Sequence, residues 1–292
     1  MTSARYVALS SLVALVPVLC ASAQAAPSST AAPWLFGIAP RQTQEAHTMA
    51  PLARLIALAA DHAIQVWRPS RSWFVYASNV ANGRFALTWD GAIFTGWRDK
   101  YRGYHPIVRL SGRMRFLVVA PHDTTIHALR GLDGRVVCAS PLPNMATMVL
   151  MGKTSQIMRP YIAPMGGVAQ NYYGLVSGKC QAVILPSLFF DALSPRARSR
   201  LRIIYRTHGY PNLALSAGPQ VPARSRRQIR HALLSVRGEA LAARLFPGHR
   251  FVAPTHGAYQ PYAHDLSRMT FFHDMILADQ PAGHLKKTVI TR

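Results

Sequence analysis

The sequence predicts an α/β protein of two lobes, each a doubly wound, mostly parallel sheet with flanking helices. Three observations carry this. Between His122 and Leu185 short apolar runs alternate with helical patterns, which is how strand–helix–strand units and parallel sheets are written. The same alternation runs from Trp34 to Lys100. With an N-terminal leader set aside, about 265 residues remain, enough for two compact lobes, and a 50% hydrophobic content can fill their cores.

The elements follow in order. Residues 1–25 read as an export signal: Arg5 gives the positive start and Val7–Leu19 the apolar stretch. Ala21-Ser22-Ala23 or Ala23-Gln24-Ala25 gives the cleavage site. The apolar stretch is shorter than the ~20 residues a spanning helix needs. Trp34–Ala39 predicts a strand, and apolar positions from Glu45 through Ala59 recur at helical spacing. Ile64–Trp67 is a second strand. Ser72 caps a helix that runs to Val80 and ends at Asn82-Gly83. Phe85–Trp89 is a third strand, followed by a helix over Gly91–Lys100. Two β-rich runs, Tyr104–Leu110 and Met114–Ala120, flank Ser111-Gly112. Val136–Ala139 is too short for anything but a buried strand. Asn144–Met151 has a helical pattern stopped by Gly152, and a second helical pattern ends at Gly178 before the strand Ala182–Leu185. Ile203–Arg206 and Leu213–Ala217 are strands. Pro222 opens a helix with Ile229, Leu233 and Val236 on its apolar side, Ala240–Phe246 adds a turn or two, and His264–Leu277 is one further helix.

Thirty-three Lys and Arg against eleven Asp and Glu give a net charge of +22. An export signal argues against nucleic acid as the partner. Three readings remain open: a field that steers an anionic solute, attraction to an anionic membrane surface, or adaptation to an acidic compartment through scarcity of carboxylates.

No enzyme is expected: the chain has no G-x-S-x-G, H-E-x-x-H, P-loop or G-x-G-x-x-G. Asp90, Asp99, Asp123 and Asp133 sit at loop-like positions suited to turns and caps. Twelve His and ten Met raise copper as a candidate. However, His122 and His127 are five apart, and His256, His264 and His273 are likewise off ligand spacing, so no metal or cofactor is expected.

A strand ending at Ala139-Ser140 and feeding a helix from Asn144 points free N–H groups and a positive dipole end outward, beyond the strand's carboxyl end. Ser140, Asn144 and Thr147 are therefore candidate ligand contacts.

The order of these segments resembles the phosphate/phosphite/phosphonate-binding (PhnD-like) receptors of ABC transporters. The likeness rests on the L-x-x-L-x-G run before Val136, the V-x-x-G-x-x-x-A pattern before Ala182, Trp34–Pro40 (WLFGIAP), Pro51–Ala59 and Asn82–Asp90 (NGRFALTWD). It runs from about Trp34 to Phe246. It implies a type 2 periplasmic-binding-protein-like fold, with 34–112 and 210–292 as the first lobe and 113–209 as the second. The chain would cross between lobes near Arg113 and again in His208–Asn212. It implies a monomer that closes on a small, anionic solute and serves an inner-membrane ABC permease. The alternative is a periplasmic binding or sensor protein that reuses the fold without transport, copper handling included.

The resemblance also places Trp89 and Asp90, or Arg41 and Gln42, opposite the Ser140–Thr147 loop, with Asn212 in the return crossing. Asp90 weighs against a purely anionic ligand unless it meets an amine or hydroxyl. The resembled receptors carry small hydroxyl residues where this chain reads Pro141-Leu142-Pro143-Asn144-Met145, and each Pro removes a backbone donor. A histidine that they place at the start of the next helix is replaced here by Gly167 or Val168. After export the remaining cysteines are Cys138 and Cys180. If the relatives' strand order holds, they lie on neighbouring strands, and a disulfide and two buried free thiols both remain open.

Overall fold

The computed structural model describes residues 31–40, 49–67, 72–154 and 160–267. The expected leader, the start of the helix near Glu45, Arg41 and Gln42 lie outside the described residues.

The strands form two large sheets. The first contains β1 (Trp34–Ile38), β2 (Ile64–Val66), β3 (Leu87–Asp90), β4 (His105–Leu110), β12 (Ala214–Ala217) and β13 (Phe251–Val252), in the order β13-β4-β12-β3-β1-β2. The second contains β6 (Phe116–Pro121), β7 (Val136–Ala139), β8 (Tyr161–Pro164), β9 (Ala182–Pro186) and β10 (Leu201–Arg206), in the order β10-β6-β9-β7-β8. A two-stranded ribbon, β5 (Arg113–Met114) with β11 (Tyr210–Pro211), joins them where the chain passes from one to the other.

The sheets are mixed where mostly parallel ones were expected. β1 runs parallel to β2 and β3, whereas β12 runs antiparallel to both β3 and β4. In the second sheet β7 is parallel to β8 and β9, but β6 is antiparallel to β9 and β10. The antiparallel pairs arise because β6 and β10 are the strands that bracket the crossings, and β12 returns from the second lobe into the middle of the first.

The helices that flank the first sheet are α1 (Ala50–Ala60), α2 (Trp73–Ala81), α3 (Ala92–Tyr101), α8 (Ala223–Leu233), α9 (Val236–Leu245) and the short α10 (Ala263–Ser267). Those of the second are α4 (Met145–Thr154), α5 (Val168–Val176), α6 (Ser187–Asp191) and α7 (Pro195–Ser199). Local chemistry explains their starts: the Ser72 hydroxyl accepts from Val75 N, Ser194 from Ala197 N and Ser235 from Gly238 N. Ile229 and Leu233 are buried as expected, but Val236 is 84% exposed because α8 ends at Leu233 and Val236 begins a new helix.

Three cores result. One lies between the first sheet and α1 and α8, around Phe36, Leu52, Ile56 and Leu215. A second lies under α5, around Leu117, Val183 and Leu185. The third is continuous across the two lobes, from Tyr76, Phe85 and Ile93 to Phe116, Leu132 and Met148. In the second core Cys138 and Cys180 are brought together as a disulfide with their Cα atoms 5.7 Å apart. Parallel pairing of Cys138 with Val183 places Cys180 just before the neighbouring strand.

Candidate functional site

A cavity of about 1000 Å³ lies between the two sheets. Its walls come from the carboxyl ends of strands and the amino ends of the helices that follow them. Ala39-Pro40 after β1, Trp73 at the start of α2 and Gly91 before α3 represent the first lobe. Ser140-Pro141 and Asn144 before α4, with Gly166-Gly167 before α5, represent the second. The lobes approach each other at Gly91, where a Cβ would lie 3.2 Å from the Met145 sulfur.

Four helices of nine or ten residues thus begin at this cavity, and the first N–H groups of a helix have no partner within it. None carries an acidic residue in its first turn. Two of them, α3 and α5, have glycine N-caps that supply no side-chain cap. Arg113, Arg115 and His249 add basic groups, and among the described residues no Asp or Glu lines the cavity. The arrangement is a positive end point for an anion. Met114, Phe116, Met145, Ile184, Leu213 and Phe246 supply apolar wall.

The α4 end is built tightly. Asn144 Oδ1 accepts from Ala146 N (2.9 Å), leaving its amide nitrogen as the remaining donor. Thr147 Oγ1 donates to Ser140 O (2.6 Å), and the Leu142–Pro143 peptide is cis. Asn171, buried on α5, satisfies this turn best with its nitrogen donating to Ala139 O (3.1 Å) and Gly167 O (3.2 Å). Its oxygen then accepts from Ser140 N (3.2 Å). It ties the two helix starts of the second lobe to one another.

In the first lobe the anchor is Asp90. It is 1% exposed and accepts from Arg98 through two bonds of 2.7 Å, from Thr95 Oγ1 at 3.0 Å and from the Tyr76 hydroxyl. Burial, reinforced by the Asp90 carboxylate, pushes the Tyr76 hydroxyl well above the usual tyrosine range. Burial alone would lower the Arg98 pKa, but the Asp90 charge outweighs it and the guanidinium stays protonated. This knot fixes the first two turns of α3 and so aims its amino end at the cavity.

Ser140, Asn144 and Asn212 line the cavity. Thr147 is fully buried behind it. Trp89 is not in the lining: it lies one layer behind it, stacked on the wall residue Phe246 with ring centroids 5.2 Å apart, and Phe251 meets it edge-on. Asp90 is also absent from the lining, because alternation along β3 turns it toward α2 and α3. Sequence reading missed Arg113, Arg115, Gln170, Asn171 and His249. The Gly166-Gly167 pair before an apolar helical pattern was the available signal for the α5 end; the two arginines and His249 had none.

Two lobes joined by a paired crossing, with a cleft at strand ends and helix starts, define a two-lobed solute receptor of the periplasmic-binding-protein type. The family described as ABC transporter, phosphonate, periplasmic substrate-binding protein matches residues 36–259, and the chain belongs to it. It is a family of substrate-binding components that work with an ABC permease, and not a family of enzymes. No curated protein sequence matches the chain.

Among solved structures, a Xanthomonas citri protein bound to ATP is similar over 84% of this chain and 99% of its own, at 15% identity and TM-score 0.67. PhnD1 of Prochlorococcus marinus, in complex with methylphosphonate, is similar over 81% and 98%, at 12% identity and TM-score 0.64. A binding-protein component of a phosphonate ABC transporter from Pseudomonas aeruginosa is similar over 84% and 88%, at 10% identity and TM-score 0.61. At these identities the likeness is one of fold.

Proposed function

We propose that the protein captures a small organic anion of the phosphonate or oxyanion class between its lobes and delivers it to an ABC permease. The observation that carries this is the pairing of two glycine-capped helix starts, Gly91 in one lobe and Gly167 in the other, on a cavity with no carboxylate in its lining among the described residues. A ligand that touches both stabilises the closed form, because the open form offers only one of them. The hydroxyl run of the resembled receptors is replaced by Pro141–Asn144, so recognition shifts to backbone N–H groups, Asn144, Asn212 and the arginines. The apolar wall fits an anion with an organic substituent.

In this reading 34–112 with 210–292 and 113–209 move as two bodies about the β5–β11 ribbon. There Arg113 Nε donates to Gly209 O at 2.9 Å. The leader, 1–25, is removed on export, and the receptor acts as a monomer in the periplasm. Calorimetry and thermal shift on the mature protein test the reading, with methylphosphonate, inorganic phosphate, small carboxylates, copper and uncharged sugars as probes. Stabilisation grows with probe concentration over its Kd, about 2.7 kcal/mol at a hundredfold excess. Stabilisation by sugars or copper with none by any oxyanion would overturn it.

A further inference from the structure

Away from the cavity the first lobe carries a second charged feature. Helix α8 buries Ser225, Ile229 and Leu233 and turns Arg224, Arg227, Arg230 and His231 outward. Arg226, Arg227 and Arg230 meet His105 in a shallow depression of about 360 Å³ between α8 and the start of β4. Arg227, Arg230 and Leu234 follow one another at spacings of three and four, so they share one face of the helix. Leu234, just past the helix end, is 41% exposed, and Val236, two residues on, is 84% exposed. Arg237 flanks them, and Glu239 is the one acidic residue on α8 and α9.

We propose that this α8–α9 corner docks on an anionic lipid surface. Headgroup phosphates sit among Arg226, Arg227 and Arg230, and Leu234 and Val236 reach the acyl boundary. A basic face beside protruding aliphatic side chains is the composition of interfacial membrane contacts, where apolar burial and attraction to anionic lipid add. The corner suits a membrane better than a protein partner. The two aliphatics stand singly at the junction of two helices, without the broad apolar core of a specific protein interface. None of these residues lines the ligand cavity, so docking leaves the cleft free.

Co-sedimentation of the mature protein with protein-free vesicles tests this, using phosphatidylglycerol/phosphatidylcholine mixtures against phosphatidylcholine alone. Each arginine near an anionic surface is worth roughly a fivefold change in affinity. Arg227→Glu with Arg230→Glu should therefore reduce binding by at least about 25-fold. The control pair Lys179→Glu with Arg196→Glu, which makes the same change in net charge on the second lobe, should reduce it less than about threefold. Val236→Ser, which removes apolar surface without adding charge, should weaken binding while leaving its salt dependence in place. Circular dichroism melting shows that each variant is folded. Failure to sediment with anionic vesicles would overturn the proposal, as would equal losses in the two charge-reversal pairs. Binding only to vesicles that carry membrane proteins would overturn it in favour of a protein partner.

Discussion

Asp90 and Arg98 form a two-pronged ion pair with both side chains fully buried, eight residues apart across the start of α3. Such a pair is costly to break, because removing one partner leaves the other charge uncompensated away from water. Asp90→Asn or Arg98→Met is expected to lower stability by about 3–5 kcal/mol in urea unfolding. A loss below about 1 kcal/mol would show that the pair does not hold α3 in place.

Gly91→Asp and Gly167→Asp separate binding from stability. Both N-caps have extended backbone that accepts any residue, and Asp is a favoured N-cap that bonds the first turn. Gly167→Asp should leave the melting temperature unchanged or raised, while Gly91→Asp sets the gain of a cap against a displaced Met145 side chain and should change it little. Each should also weaken methylphosphonate or phosphate binding at least tenfold, because a carboxylate then occupies the anion's donors. Calorimetry showing unchanged affinity in both variants would remove the helix starts from the site.

The Cys138–Cys180 bridge spans 42 residues. A loop of that length corresponds to about 4 kcal/mol in the chain-entropy description. Denatured, unreduced protein should show no free thiol at these two positions. The Cys138→Ala, Cys180→Ala double variant should lose stability on that scale. Two titratable thiols per mature chain would contradict the pairing.

Alkaline pH should destabilise the fold. Burial raises Tyr76, Tyr104, Tyr210 and Tyr259 above the ordinary tyrosine range. A group whose pKa is raised on folding binds its proton more tightly in the native state. Its contribution is complete below the unfolded value near 10 and falls as pH rises beyond it. Tyrosinate absorbance should therefore rise in two stages, exposed tyrosines first and the buried set together with loss of circular dichroism. Tyr259→Phe removes the bond to Asn212 O (2.6 Å) and should cost about 1 kcal/mol at neutral pH, while making the alkaline decline shallower. A single-stage absorbance rise without unfolding would reject this.

How much of this was legible in the sequence varied with the physics involved. Val136–Ala139 was read to the residue because a four-residue apolar run between turn signals admits one structure. β8, Tyr161–Pro164, was not read: it is a sheet-edge strand, half exposed and ending in proline, with no alternation to mark it. Ser140 and Asn144, which line the cavity, are legible because helix starts have a local signature. The family resemblance places Trp89 and Asp90, or Arg41 and Gln42, at the ligand. Whether a strand's last residues reach a cleft depends on what packs over them: Arg98 holds Asp90 away from it, and Phe246 stands between Trp89 and the cavity. The crossing near Arg113 is foreseen by the family resemblance, but that Arg113, Arg115 and His249, just before β13, line the cavity is announced by no local pattern.

The position of β12 between β3 and β4 governs the order in which the molecule can be completed. As the chain emerges from its amino end, every strand of the second sheet has been delivered by Arg206. The first sheet still has a gap at its centre until Ala217 arrives. Gly96 is pressed against the Tyr259 carbonyl, where a Cβ would lie 2.1 Å away, so α3 also waits for the far end of the chain. Between the delivery of Arg206 and the arrival of Ala217 and Tyr259, the protein is thus one finished lobe attached to an unfinished one. The exposed edges of β3 and β4 are then the surface that a chaperone must guard.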